Sequence, residues 1–244
     1  MFDTVVVGAG TAGCVLASRL TERPGHRVLL LEAGPARLAH ELRRVASLDV
    51  AGDPSHAWNW AYPADLGQGR SHTVPRGRGL GGSSAVNGNV FLRATPADAD
   101  AWGPGWSWRE LLHYYVRSET DFDRSGPLHG DRGPIPVCRP AGPLLHPVTE
   151  RFLAVAQELG FPAELDKNAG DTPGVGLVPC NAVNGARIDT ATAYGLSGQR
   201  PGLTVRTNAR VARVLLDRDR AIGVELLDGS RVEAGEGGLT AGAI

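Results

Sequence analysis

Two short apolar runs, residues 4–7 (TVVV) and 27–31 (RVLLL), bracket a segment at 12–20 (AGCVLASRL) whose apolar positions recur at helical spacing. Continuous β-branched and apolar runs of this length predict buried strands. Strand, helix and strand in so compact an order predict a parallel pair joined by a right-handed crossover, the opening of a nucleotide-binding α/β fold. Residues 36–75 mix Pro, Gly and Asp with the aromatic pair of Trp58-Asn59-Trp60, which predicts extended loop with little regular structure. Ser107-Trp108-Arg109-Glu110 fits a capping box, and Leu111, Leu112 and Tyr115 follow at helical spacing. The Pro- and Gly-dense stretch 125–147 marks a boundary and carries one short strand at 135–138. A helix is expected over 148–159, stopped by Gly160, and then a strand at 175–183 with an awkward Pro179. Four short strands at 203–205, 209–216, 221–226 and 231–234, turning at Asp217-Arg218 and Asp228-Gly229, predict a closing meander.

Composition narrows the function classes. With 244 residues, 42% hydrophobic content and a net charge of -1, the chain buries a sizeable core and carries no basic field for nucleic acid or anionic lipid. A small-molecule partner is expected. No apolar stretch approaches the ~20 residues of a membrane span. The first apolar run begins three residues after Met1 without a basic flank, so it reads as a strand and a cytoplasmic location is expected. Cys14, Cys138 and Cys180 are far apart, with no CxxC spacing, and read as reduced core thiols. His26, His40, His56, His72, His113, His129 and His146 show no metal-ligand spacing and read as surface or core-polar residues, so no metal site is expected. No G-x-S-x-G elbow and no Walker lysine are present.

Gly8-Ala9-Gly10-Thr11-Ala12-Gly13 is a G-x-G-x-x-G between strand and helix. Glycine is needed there for the tight turn, for close approach of backbone to a pyrophosphate, and for packing of helix on strand. The helix N-terminus adds free N–H groups and about half a positive charge. Glu32, at the end of the second strand and about 20 residues beyond the last glycine, is placed to accept hydrogen bonds from ribose hydroxyls. These features leave NAD and FAD both open.

The second motif separates them. Residues 76–93 (RGRGLGGSSAVNGNVFLR) supply glycines and small hydroxyl residues that let backbone wrap a flavin and its pyrophosphate. The stretch resembles the first signature of the glucose-methanol-choline (GMC) oxidoreductases. Leu31-Glu32-Ala33-Gly34, Trp58-Asn59-Trp60, His129-Gly130 with Gly133-Pro134-Ile135-Pro136-Val137, Gly174-Val175-Gly176, residues 187–194 (RIDTATAY) and 203–214 (LTVRTNARVARV) are each similar to further segments of that family. The resemblance spans nearly the whole chain. It implies a Rossmann-like FAD-binding domain, a parallel sheet plus β-meander, in two parts at 1–130 and 187–244, with an inserted, incomplete α+β substrate domain at 131–186.

By the same resemblance the FAD contacts are Gly8, Gly10, Thr11, Ala12, Gly13, Glu32, Ala33, Gly79, Gly82, Asn87, Gly88, Asn89, Val90 and Val211, the last through its backbone to the adenine. Gly79 stands where relatives more often carry a branched apolar residue. Val86 stands where some relatives carry a histidine bonded to the flavin, so noncovalent FAD is implied. The implied reaction is oxidation of an alcohol CH–OH group with hydride passing to flavin N5 and the proton to a histidine. That histidine and its His or Asn partner lie near the C-terminus of a longer chain in the family. Residues 239–244 resemble only the opening of the second signature, so no catalytic residue is assigned, and these 244 residues alone are expected to be poorly soluble and inactive toward alcohols. A fainter likeness to members associated with mycofactocin redox systems favours a dehydrogenase over an oxidase. The electron acceptor stays open. The competing readings are a short FAD-binding protein without turnover and, less well supported because 76–93 has no role in it, an NAD-dependent Rossmann dehydrogenase.

Overall fold

A computed structural model of the chain describes residues 1–36, 52–170, 173–196 and 198–242; His40, most of the 36–51 part of the expected loop, and Ala243-Ile244 lie outside the described residues. In chain order the elements are β1 (Phe2–Val7), α1 (Thr11–Leu20), β2 (Val28–Leu31), β3 (Asn59–Asp65), β4 (Ser71–Gly77), α2 (Pro96–Ala101), α3 (Trp108–Ser118), β5 (Glu119–Asp121) and β6 (Ile135–Val137). They continue with α4 (Pro147–Glu158), β7 (Ala182–Val183), β8 (Ala186–Arg187), α5 (Thr190–Ala193), β9 (Leu203–Arg206), β10 (Val211–Asp217), β11 (Arg220–Leu226) and β12 (Arg231–Leu239). The chain divides into two compact units, Met1–Gly88 with Asp189–Ile244, and Asn89–Ile188. The sequence reading places those crossings at 130/131 and 186/187.

The first unit is built on a six-stranded sheet in the order β10-β11-β12-β1-β2-β9. β1 runs parallel to both β2 and β12, and β2 parallel to β9, while β10, β11 and β12 form the antiparallel meander. Every residue of β2 is buried, as an apolar run covered on both faces requires. Val5, Val7, Leu29, Leu31, Ala209, Val224, Leu226 and Ala234 form one cluster across the parallel strands and the meander, with Phe2, Val211 and Val232 packed against it. The α/β character and parallel opening therefore stand. β12 runs five residues beyond its expected end at 234, because Gly235, Gly237 and Gly238 carry no side chain to signal a strand while their backbone pairs with β1.

The expected irregular stretch before the signature is corrected over its described part. β3 and β4 form a seven-pair antiparallel hairpin from Asn59↔Gly77 to Asp65↔Ser71. Pro63 argues against a central strand, but this is a two-stranded ribbon whose outer sides face no third strand among the described residues, and proline is tolerated there.

In the second unit, both capping boxes form. Ser107 caps α3 through Glu110, and Thr95 caps α2 through Asp98, a T-P-x-D start that the sequence reading passed over. α4 begins one residue earlier than expected, with the His146 ring accepting the Val148 N–H, and ends before Gly160. The strand expected over 175–183 is corrected to Ala182–Val183. The rest of that run makes only single bridges, Ala163↔Val175 and Cys180 with Val90 and Cys138. Gly174 and Gly176 press on the backbone of residues 162–164, which holds the segment to a loop and not to a ladder.

The interior of this unit is ionic. Arg93 binds Glu119 at 2.7 Å, and Arg139 reaches both Asp121 oxygens at 2.7 and 2.8 Å. The His129 ring meets Glu119 and Asp121 through Nδ1 at 3.3 and 3.2 Å and Asp166 through Nε2 at 2.7 Å. Burial works to raise the Asp166 carboxyl, but the Asn168 N–H, the His129 hydrogen bond and charge, and Arg139 outweigh it and hold the group below its ordinary value. The stability this supplies is full above the unfolded carboxylate pKa of about 3.9 and is lost as pH falls through the lower folded value. Asp166→Asn is expected to cost about 3 kcal/mol at neutral pH and much less in acid. Thermal melts of parent and variant from about pH 7 to pH 2 check this, and a penalty independent of pH would contradict it. Among the described residues no helix is long and apolar enough to cross a membrane.

Candidate functional site

The first unit folds its glycine loop against three other segments. β1 ends at Val7, and Thr240, just past β12, closes the turn with its hydroxyl donating to the carbonyls of Val7 (2.9 Å) and Gly8 (2.7 Å). α1 then starts at Thr11 behind Gly10, with no side-chain cap, so its first N–H groups are presented outward at the positive end of the helix. Thr11 and Ala12 are exposed there. Gly13 faces inward, where a Cβ would overlap the Gly8 carbonyl oxygen and lie 2.6 Å from Thr240 Oγ1. This is the close helix-on-strand packing that the third glycine of the motif permits.

The signature stretch comes back over this loop. Gly82 has φ +52°, and a Cβ on it would stand 2.6 Å from the Gly10 Cα. Gly81 donates its N–H to Ala9 O at 2.9 Å, locking the two loops together. Viewed from the other loop, a Cβ on Gly10 would find only Gly82 Cα, at 4.0 Å. The two loops thus meet backbone to backbone at Gly10 and Gly82, and the side of Gly10 toward which a Cβ would point is nearly open.

Glu32 has three partners within the protein. It is buried, and its carboxylate accepts N–H groups from Ala9 (2.9 Å), Gly34 (2.8 Å) and Gly79 (3.0 Å). A carboxylate offers about four acceptor positions, so one place on Oε2 is left beside the Ala9 bond. Glu32 is thus the tie between the glycine loop, the end of β2 with Ala33, and the signature. Gly79 uses its N–H on Glu32 and its carbonyl on the Gly82 N–H, so what it offers a ligand is its bare Cα.

Three features escaped the sequence reading. Asp189 caps α5 and sits against Gly81, while Thr190 shares a hydrogen bond with Ser84 at 2.9 Å and donates its N–H to the same hydroxyl at 3.1 Å. The D-x-x-T spacing at 189–192 was the available signal. The guanidinium carbons of Arg78 and Arg210 both stand over the Trp60 ring, 4.9 and 5.0 Å from its centre. Arg210 precedes Val211, the first residue of β10, so this stack walls the same end of the sheet. The third feature is the Thr240 clasp.

The proposed contact residues therefore divide. Gly8, Gly10, Thr11, Ala12, Gly13, Glu32, Ala33, Gly79, Gly82 and Val211 all belong to the first unit, as do the exposed Asn87 and Gly88 at its edge. Asn89 and Val90 open the second unit; Asn89 is fully buried at φ 59°, and Val90 is half exposed. Cys14, on α1 behind the loop, is an inert thiol pushed up to about 12 by burial. Of the described histidines, His26 bonds Thr4, His129 sits among carboxylates, His146 caps α4, and His72 lies on the β3–β4 hairpin. Glu119, Asp121 and His129 lie close enough together to hold a cation, but Arg93 and Arg139 already neutralise those carboxylates.

The sequence matches the family profile of the GMC oxidoreductases over residues 2–236. It is 45% identical over 239 residues to an uncharacterized GMC-type oxidoreductase from the thcA 5' region of Rhodococcus erythropolis, covering 94% of this chain and 48% of that protein. To the mitochondrial choline dehydrogenase of Mus musculus it is 39% identical over 251 residues, covering 96% and 41%. The crystal structure of pyridoxine 4-oxidase from Mesorbium loti superposes with a TM-score of 0.93 at 32% identity, over 100% of this chain and 50% of that one. The chain spans about half the length of these relatives. A Rossmann-like sheet, the facing glycine loops and a family match over almost every residue lead to one conclusion: this chain belongs to the glucose-methanol-choline oxidoreductases.

Proposed function

We propose that the chain holds FAD noncovalently and is the flavin-binding part of an oxidoreductase that acts on the CH–OH group of a small alcohol. The observation that carries this reading is the uncapped N-terminus of α1 beside Gly10, where a Cβ would meet nothing nearer than Gly82 Cα at 4.0 Å, which leaves room for a diphosphate against bare backbone. Bound there, FAD supplies a hydride acceptor at its N5. The N–H groups of Thr11, Ala12 and Gly13 neutralise the diphosphate, and Glu32 fixes both loops while its remaining Oε2 position takes one ribose hydroxyl. The Val211 backbone and the Arg78-Trp60-Arg210 stack flank the adenine end. Choline and pyridoxine, named in two relatives, are both small alcohols, which supports the substrate class.

Val86 is buried and has no nucleophile, so no covalent flavin link forms. Neither glycine segment, 8–13 or 76–93, contains a histidine, and no residue there is assigned as the base that alcohol oxidation requires. One preparation tests both statements. Acid precipitation should release all yellow colour as FAD, and anaerobic mixing with a panel of alcohols should leave the flavin absorbance unbleached. Colour kept in the pellet would overturn the Val86 argument, and rapid bleaching in a monodisperse sample would show that a base lies within these residues. A colourless folded protein that binds NAD would end the flavin reading.

A further inference from the structure

Cys138, one residue past β6, and Cys180, in the segment before β7, exchange both backbone hydrogen bonds. Cys138 N donates to Cys180 O at 3.0 Å, and Cys180 N donates to Cys138 O at 2.7 Å. Reciprocal bonding of this kind places the two residues directly opposite each other in an antiparallel pair, with side chains on one face and Cα atoms about 5.5 Å apart. That spacing lies inside the ~4.4–6.8 Å range of disulfides. Cys180 also bridges Val90 on its other side, with Asn181 N on Asn89 O and Phe91 N on Pro179 O, so it is the middle member of a three-segment patch.

We propose that Cys138 and Cys180 are a two-electron redox site, a dithiol that low-molecular-weight disulfides oxidise to a reversible cross-strand disulfide. The thiols now donate apart, Cys138 to Ala182 O at 3.0 Å and Cys180 weakly to Val178 O at 3.5 Å. A change of χ1 at each sulfur turns them together, between staggered wells. Opposed Cβ atoms of a hydrogen-bonded pair, about 5.5 Å apart, must also close by roughly 1–2 Å. The pairing is an isolated bridge outside any long ladder, so the backbone can give. A disulfide closed under that pull is easily reduced again.

Cys138 is the more exposed sulfur and makes the first attack. Its thiolate displaces one thiolate from the small disulfide and forms a mixed disulfide. Cys180 then attacks the Cys138 sulfur and releases the second small thiolate. The two protein S–H protons end on the two released thiols, and two electrons pass from the dithiol to the reagent. Burial holds both thiols above their ordinary value, with Asp123 adding to the effect at Cys138 and Cys138 itself adding at Cys180; Arg139 pulls both the other way. The reaction is therefore faster in mild alkali.

The site rests on backbone register and is independent of the flavin reading. The test treats the folded chain with oxidised glutathione at roughly pH 8.5, near the pKa of free cysteine. Free thiols should fall from the three of the sequence to one, the mass should drop by two hydrogens with no glutathione adduct, and non-reducing peptide maps should join Cys138 to Cys180. Cys14 stays free as the internal measure of an intact fold, and dithiothreitol restores all three. In Cys180→Ser, Cys138 should keep glutathione as a stable adduct. Separate adducts on Cys138 and Cys180 in the parent, three unreacted thiols, or a link through Cys14 would each overturn the proposal.

Discussion

Alanine at Gly13 is expected to prevent the first unit from folding. The added Cβ would occupy the Gly8 carbonyl oxygen and crowd Thr240 Oγ1, and neither can step aside. The Gly8 carbonyl belongs to the turn after β1, and Thr240 Oγ1 is bonded to that same turn. Relief requires α1 to move off the parallel strands it covers, which separates Cys14 and Ala17 from their buried positions. A cost of about 3 kcal/mol or more is expected, a large fraction of the ~5–15 kcal/mol that holds most domains together. Circular dichroism melts measure it. A cooperative transition within a few degrees of the parent would show that α1 does not pack as described.

Valine at Gly10 should do the opposite, sparing the fold and abolishing the ligand. The nearest protein atom to a Cβ there is 4.0 Å away, in ordinary contact, so the space the side chain enters is the one proposed for the diphosphate. FAD affinity of the apoprotein should fall on the order of 100-fold, about 2.7 kcal/mol, with the melting curve little changed. Titration with FAD followed by flavin fluorescence reads this directly, and parent-like affinity would sink the proposed site. Glu32→Ala offers the contrast. It strands the N–H groups of Ala9, Gly34 and Gly79, at about 1–3 kcal/mol for each that stays buried, so it should lower both stability and affinity.

The strand, turn and helix around the first glycine motif were legible in the sequence. The positions of Gly8, Gly10, Gly13 and Glu32 followed from spacing because a strand, a tight turn and a helix leave few choices for a pyrophosphate loop. The capping box at Ser107 was legible for a similar reason, since it is closed within four residues. What Glu32 binds was not legible, because two of its partners, Ala9 and Gly79, reach it through chain distances of 23 and 47 residues. Ser84 with Thr190 is a more distant pair still, 106 residues apart. The β3–β4 hairpin was hidden by Pro63 and by a Gly67-Gln68-Gly69 turn, where backbone pairing and not apolar alternation sets the register. The apolar run at 175–183 erred in the other direction. Its residues are strand-like one by one, but Pro179 and the glycines at 174 and 176 break the ladder into single bridges.

The order of the main sheet governs how this chain is made. β1 and β2 are synthesised well before the strands that flank them, for β1's other neighbour is β12, with Phe2 opposite Ala234, and β2's is β9, with Val28 opposite Leu203. At about 5–20 residues per second, the strands that complete the sheet follow roughly 10–40 s behind. Through that interval Val5, Val6, Leu29, Leu30 and Leu31, all buried in the finished fold, lack the neighbours that β9 and β12 supply. Contacts so remote in sequence also slow the final closure. The nascent chain is thus a natural client for a holdase, and its yield of folded protein should respond more to slowed translation and chaperone supply than its finished stability would suggest.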